Sequence, residues 1–244
     1  MRGKLTVVGF GPGSKEDMTF RAADAIEKAD IVTGYTAYID ILKEFFPNKI
    51  FKSTGMLREV ERCKMAIDDA VSGKTVAMVS SGDSGIYGMA GIIYQIADQM
   101  NADIDIETVP GITAASSAAS MLGAPLMHDL ALISLSDLLT PLELIMKRVN
   151  CAGIGDMIVA IYNPKSRNRS DYLEQAVSIL LEHRSGNTPV GIARNIGRKD
   201  QEMTLTTLDK IDYDQVDMFC TVIIGNTQTY IANGRMITPR GYMI

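Results

Sequence analysis

The sequence predicts an α/β protein of two domains, the first with a mainly parallel sheet and the second with a mixed one. Three observations carry this. Short apolar runs alternate with longer segments of helical period through the first half of the chain. Glycine-rich turns follow two of those runs and lead into helices, at the strand ends where α/β sheets hold ligands. Near the end the apolar runs over 203–208, 219–224 and 229–231 have connections too short for crossover helices, so antiparallel pairs are expected. Residues 121–129 carry Gly123 and Pro125 and keep no clear period, which marks them as the joint between a domain over 1–120 and one over 130–244.

The first strand spans 5–10 and ends in the turn Gly9-Phe10-Gly11-Pro12-Gly13-Ser14. A helix follows with Met18, Ala22, Ala25, Ile26 and Ala29 on its apolar face and Glu16 and Asp17 in its first turn, where the helix dipole favours acids. The dinucleotide spacing G-x-G-x-x-G fails at Ser14, and Pro12 removes a backbone N–H that a pyrophosphate would use. Where a ribose-binding acid should end the second strand stand Val32-Thr33-Gly34-Tyr35. The turn therefore reads as a pocket wall.

Strand 29–33, helix 37–45, strand 49–52, helix 57–71 and strand 74–79 continue the alternation. Next comes Ser80-Ser81-Gly82-Asp83-Ser84-Gly85-Ile86-Tyr87-Gly88, overlapping a helix over 86–100 with Ile86, Met89, Ile93 and Ile96 on one face. Gly82, Gly85 and Gly88 allow positive φ and close approach of backbone to a ligand. Asp83, the single acid of the turn, suits a ribose hydroxyl or a cation; equally, Asp83 or Ser84 suits a cap for the next helix. Strand 103–108 runs into Val109-Pro110-Gly111-Ile112-Thr113-Ala114-Ala115, which opens a helix of small residues. Such a helix packs closely on a neighbour, while its first N–H groups and Thr113 face the same sheet edge as the two glycine turns.

The second half restarts with strand 131–134, helix 141–149, strand 157–162, helix 170–183 and strand 188–193. Its segment 164–199 is basic, since Lys165, Arg167, Arg169, Arg184, Arg194, Arg198 and Lys199 outnumber its acids. Arg184 and Lys199 are expected to be solvated surface charges. Lys165, Arg167 and Arg194 follow strand ends, where they suit a ligand bearing several carboxylates.

The whole chain has 244 residues, a formal net charge of -5 and a pI of about 5.1, so it lacks the cationic field that gathers nucleic acid, and a small ligand is expected. Cys63, Cys151 and Cys220 are widely spaced and the histidines are only His128 and His183, too few local ligands for a zinc or iron–sulfur site, so no metal is expected. The thiols read as buried small hydrophobes in a reducing cytosol, which implies a cytoplasmic protein. The first apolar run is a strand and no signal peptide, and no stretch approaches the length of a membrane span.

Four segments in order, Val8-Gly9-Phe10-Gly11-Pro12-Gly13, Ser81-Gly82-Asp83-Ser84-Gly85-Ile86-Tyr87-Gly88, Val109-Pro110-Gly111-Ile112-Thr113-Ala114-Ala115 and Ile133-Ser134-Leu135-Ser136-Asp137, resemble the tetrapyrrole methylase family. The likeness runs nearly end to end. Tyr162-Asn163-Pro164-Lys165-Ser166, Gly191-Ile192-Ala193-Arg194-Asn195 and Ile237-Thr238-Pro239-Arg240-Gly241-Tyr242 look most like the members that methylate C17 of precorrin-3B, or its cobalt-bearing counterpart, with ring contraction. The resemblance implies two α/β domains with S-adenosylmethionine, released as S-adenosylhomocysteine, in the cleft between them, usually in a homodimer. It implies donor contacts at Pro12, Ser81, Gly82, Asp83, Ile86, Thr113, Ala114, Tyr162 and Asn163. Gly11, Gly13, Tyr87, Lys165 and Arg194 are expected at a tetrapyrrole with several carboxylates. His128, Ser136 and Asp137 are the candidates for acid–base work in ring contraction, with a structural role at the joint also open for His128. Ser84 departs from the Pro that many relatives carry after the loop Asp. The alternatives are a sister methylase acting at another ring carbon and a non-catalytic tetrapyrrole or nucleotide binder.

Overall fold

A computed structural model describes residues 2–166 and 170–243. The chain divides into two units, Met1–Ala114 and Ala115–Ile244. In the first, five strands form a wholly parallel sheet in the order β3-β2-β4-β1-β5, with β1 at Gly3–Gly9, β2 at Ile31–Tyr35, β3 at Ile50–Thr54, β4 at Thr75–Ser80 and β5 at Ile104–Val109. The crossovers are α1 (Phe20–Lys28), α2 (Thr36–Phe45), α3 (Glu59–Val71) and α4 (Ala90–Gln99). Val8, Phe10, Val32 and Val79 pack under α1 and α2 through Ala22, Ile26, Ile39 and Leu42. On the other face Leu5, Val7, Val76 and Met78 pack under α3 and α4 through Cys63, Ala66, Ile67, Ile93 and Ile96. Burial on both faces is why these strands read as continuous apolar runs.

The helix starts differ from expectation most instructively at three places. Thr19 is the N-cap of α1, its Oγ1 accepting from the Ala22 N–H at 3.1 Å, so Glu16 and Asp17 precede the helix. Asp17 instead closes a turn with Ser14 at 2.7 Å. Tyr87 and Leu57 have φ of 53° and 63°, outside the helical region, which moves the starts of α4 and α3 to Ala90 and Glu59.

The second unit contains α5 (Ala114–Leu122), β6 (Gly123–Ala124), β7 (Leu130–Ser134), α6 (Leu142–Ile154), β8 (Ile158–Tyr162), α7 (Tyr172–Leu181), β9 (Pro189–Arg194), β10 (Glu202–Thr207), β11 (Cys220–Ile224), β12 (Tyr230–Ala232) and β13 (Arg235–Ile237). Its main sheet has the order β10-β9-β11-β8-β7, mixed because only β7 and β8 pair in parallel. α6 and α7 cover one face. α5 covers the other, its Ala115, Ala118 and Ala119 lying against a side of the sheet made of Ile158, Ala160, Ala193 and Ile223. The small residues of α5 thus serve a close helix-on-sheet contact; a Cβ on Gly191 would fall 2.4 Å from Leu122 Cδ1.

The limit drawn at residue 120 falls inside α5, and the stretch 121–129 contains β6, which pairs with β13 in a small third sheet completed by β12. β6 and β13 were too short to show a period.

Arg184 and Cys151 differ from expectation, in opposite directions. Arg184 is buried and donates to the carbonyls of Met157, Gly225 and Ala152, so it ties loops together instead of lying in solvent. Burial holds its pKa below the ordinary arginine value, partly offset by Asp156. Cys63 and Cys220 are buried, with burial raising their thiols to about 12 and about 11, but Cys151 is exposed on α6. Among the described residues no helix is long and apolar enough to cross a membrane.

Candidate functional site

Because β1 lies between β4 and β5 and all three run the same way, their carboxyl-end loops emerge side by side. β1 continues into α1 on one face and β4 into α4 on the other, so the two chains part at a topological switch point, the place where α/β sheets open a crevice. Here the crevice floor is sewn shut by backbone: the Gly11 N–H donates to Gly82 O at 3.0 Å and the Gly82 N–H to Gly11 O at 2.7 Å.

The glycines divide by what surrounds them. A Cβ on Gly9 would lie 2.7 Å from Gly82 O and 2.8 Å from Gly111 N, and one on Gly111 would lie 2.2 Å from Gly82 O and 2.4 Å from Gly9 O. Gly88 is equally confined, 2.4 Å from Ser84 O. These positions need glycine so that backbone can lie on backbone. Gly82 differs: at φ 69° its Cβ would meet nothing nearer than 3.8 Å, at Ala114 N and Thr113 Cα. Of the three glycines expected to let backbone approach a ligand, Gly82 needs glycine for its positive φ, while the space beside Gly88 is filled by the backbone of Asp83 and Ser84.

Asp83 is occupied on both oxygens. Oδ1 accepts from the Gly85 N–H at 2.7 Å and the Ile86 N–H at 3.1 Å, while Oδ2 accepts from the Gly111 N–H at 3.0 Å. The half-buried carboxylate staples the β4 loop to the β5 loop, and with about four acceptor positions it keeps one for a further donor. Ser84, fully buried, donates from Oγ to Val109 O at 3.1 Å, a second tie between the same loops. Pro12 lies between Gly11 and Gly13 at φ 83° and 142°. Ser81, Ile86, Thr113 and Ala114 are half-buried at this edge, and Tyr87 is exposed.

In the second unit β8 and β9 both run opposite to β11, and β7 runs with β8, so the carboxyl ends of β7, β8 and β9 share one edge. Asn163 and Asn195 follow β8 and β9, each at φ 51°. Asn163 Nδ2 donates to Ser134 Oγ at 2.9 Å, and the same oxygen accepts from the Ser136 N–H at 3.2 Å. Tyr162 Oη accepts from the Ala115 N–H at 3.0 Å, capping α5, and Tyr172 Oη donates to Asp137 Oδ2 at 2.8 Å. Ser136 and Asp137 thus sit at this edge. His128 does not, because it precedes β7 while they follow it, and the five residues of β7 alone stretch about 17 Å. The three cannot act on one reacting atom.

A family model described as Tetrapyrrole (Corrin/Porphyrin) Methylases matches residues 4–212. The chain belongs to the tetrapyrrole methylase family. It is 48% identical over 240 residues to a probable cobalt-factor III C(17)-methyltransferase of Salmonella typhimurium, covering 98% of this chain and 100% of that protein. It is 36% identical over 250 residues to a precorrin-3B C(17)-methyltransferase of a Sinorhizobium species, covering 99% and 98%. The crystal structure of the methyltransferase CobJ superposes with a TM-score of 0.91 at 32% identity, covering 97% of this chain and 100% of that one.

Two of the three cations that the sequence assigned to substrate carboxylates, Arg194 and Lys165, already have partners in this methylase. Arg194 donates from Nε and a terminal nitrogen to Asp217 Oδ2 at 3.0 and 2.9 Å, which raises its pKa. Burial pushes Asp217 up, but the Arg194 bond, the Phe219 N–H and Cys220 outweigh it and hold the carboxyl below its usual value. Lys165 donates to Tyr213 O at 2.7 Å and lies 3.8 Å from Asp214 Oδ1. Arg167 lies outside the described residues. Sequence reasoning missed Asp217, Tyr172 and the linking role of Ser134. Ser134 had a signal, its place at a strand end inside a family motif; the other two are brought in from 23 and 35 residues away.

Proposed function

We propose that this methylase transfers the methyl group of S-adenosylmethionine to C17 of a cobalt-bearing tetrapyrrole of the cobalamin pathway, with ring contraction. The observation that carries this is the full-length likeness to a C(17)-methyltransferase at 48% identity, against 36% for the relative named for the cobalt-free substrate.

Pro12, Ser81, Gly82, Asp83, Ile86, Thr113 and Ala114 would hold the donor, with Tyr162 and Asn163. Gly82 is buried within ordinary contact distance of the Ile112–Ala114 strip, so the two loops that would flank the donor are already held together. The donor supplies an electrophilic methyl group that leaves a neutral thioether behind. The chain's own residues position the reactants in line and keep water out. Gly11, Gly13 and Tyr87 would border the macrocycle, and Lys165 and Arg194 would meet its carboxylates. Ser136 and Asp137 carry the acid–base proposal; His128 is withdrawn from it by its place at the other end of β7. A cytoplasmic homodimer is proposed on family likeness alone.

The test is incubation with labelled donor and either cobalt-factor III or precorrin-3B. Mass spectrometry reads methyl gain, and carbon NMR of the labelled product reads its position. Methylation at another carbon would favour a sister activity, and binding without turnover a non-catalytic role.

A further inference from the structure

The loop between β3 and α3, Gly55-Met56-Leu57-Arg58, leaves the sheet at the same carboxyl edge as the three glycine-bearing loops, because β3 is parallel to its neighbours. It is built unlike an ordinary connection. Its base is knotted: Arg62, only 3% exposed, donates to Thr54 Oγ1 at 2.7 Å and Gly55 O at 3.2 Å, and Thr36 Oγ1 donates to Thr54 O at 3.1 Å. Arg58 forks onto Glu61 at 2.5 and 2.6 Å. Its tip is apolar and open, with Met56 52% and Leu57 68% exposed. Leu57 is also held at φ 63°, a left-handed conformation that bulky residues adopt only under constraint. Folding alone would favour glycine or asparagine there. A buried guanidinium thus supports a strained leucine that faces solvent.

We propose that this loop is a substrate-specificity element, with Met56 and Leu57 lying against an apolar face of the tetrapyrrole. The proposal rests on the substrate class proposed above. Spacing supports it: β3 is two strand intervals from β4 and three from β1, about 10 and 14 Å. A four-ring macrocycle with its side arms spans such a distance, so a substrate bordered by the β1 and β4 loops reaches the β3 loop. The knotted base lowers the ordering cost of binding, since the tip is held before the substrate arrives.

The test uses Met56→Ala, Leu57→Gly and the double variant in the full chain. It measures tetrapyrrole Kd by absorbance titration, donor Kd by calorimetry, Tm, and oligomeric state by sedimentation. Leu57→Gly relieves the left-handed strain, so it should melt at or above the wild-type temperature. Its donor affinity should be unchanged, while tetrapyrrole Kd rises about tenfold, the scale of losing part of one buried apolar side chain. A purely structural leucine would move Tm and leave Kd alone. Wild-type tetrapyrrole affinity in all three variants would overturn the proposal, whether or not the variants change oligomeric state; a change of state alone would mark the tip as a contact between copies. Failure of the wild-type protein to bind the tetrapyrrole would instead overturn the substrate reading, and this proposal with it.

Discussion

Replacing Asp83 by Asn tests whether the carboxylate acts on the loops or directly on a ligand. Asp83 accepts from three backbone N–H groups, two on Oδ1 and one, from Gly111, on Oδ2. Asparagine has one acceptor oxygen, and whichever way the amide turns, its NH2 must face at least one of those donors. With the oxygen toward Gly85 and Ile86, the Gly111 N–H is left facing another donor, and the tie between the β4 and β5 loops is lost. A backbone bond to a charged acceptor is worth about 1.5–3 kcal/mol, so Asp83→Asn should destabilise the protein by about 2 kcal/mol. For a chain of this size that lowers Tm by about 4–8 °C. Donor affinity should fall as well, because Gly82 and Thr113 line the two loops that separate. Calorimetric melting of the ligand-free protein, followed by donor titration well below both midpoints, separates the effects. An unchanged Tm with weakened donor binding would refute the staple and assign Asp83 to the ligand; no change in either would leave it without either role.

Gly111→Ala should cost about 1–3 kcal/mol by overpacking, since its Cβ would overlap two carbonyl oxygens, whereas Gly82→Ala should cost only about 1–2 kcal/mol of left-handed strain but weaken the donor disproportionately; paired melts and titrations would show it. Arg194→Ala should raise tetrapyrrole KM by less than about fivefold, because the guanidinium is shared with Asp217 and solvent screens a half-exposed ion pair; a loss of a hundredfold or more would mean that the substrate displaces Asp217 outright. Asp217 has a folded pKa below the ordinary aspartate value, so it contributes stability that is complete above that ordinary value and lost as pH falls through the lower folded one. Asp217→Asn should therefore weaken the protein at neutral pH and flatten the acid limb of its stability profile, as read by urea midpoints across pH. Native protein should react with a thiol reagent at Cys151 alone, with Cys63 and Cys220 reacting only on unfolding; rapid labelling of a second thiol would contradict the burial described.

The alternation of strands and helices could be read directly because it is written in local periods, and most of the described α-helices and strands lie where apolar residues recur at those periods. Glycine turns were visible for the same local reason. Helix starts were misplaced where a cap or a left-handed residue decided the matter, as at Thr19, Leu57 and Tyr87. Only the tertiary structure decided what the turn residues do. The order β4-β1-β5 brings Gly9, Gly82 and Gly111 together from distant parts of the chain, and that packing makes glycine a steric need at two of them and, at Gly82, a need set by its positive φ. It likewise commits Asp83 to an N–H 28 residues away, Arg184 to carbonyls up to 41 residues away and Arg194 to Asp217, and it sets His128 at the far end of β7 from Ser136. A side chain's chemistry is local, but its partners are chosen by strand order and burial, which no short window of sequence contains.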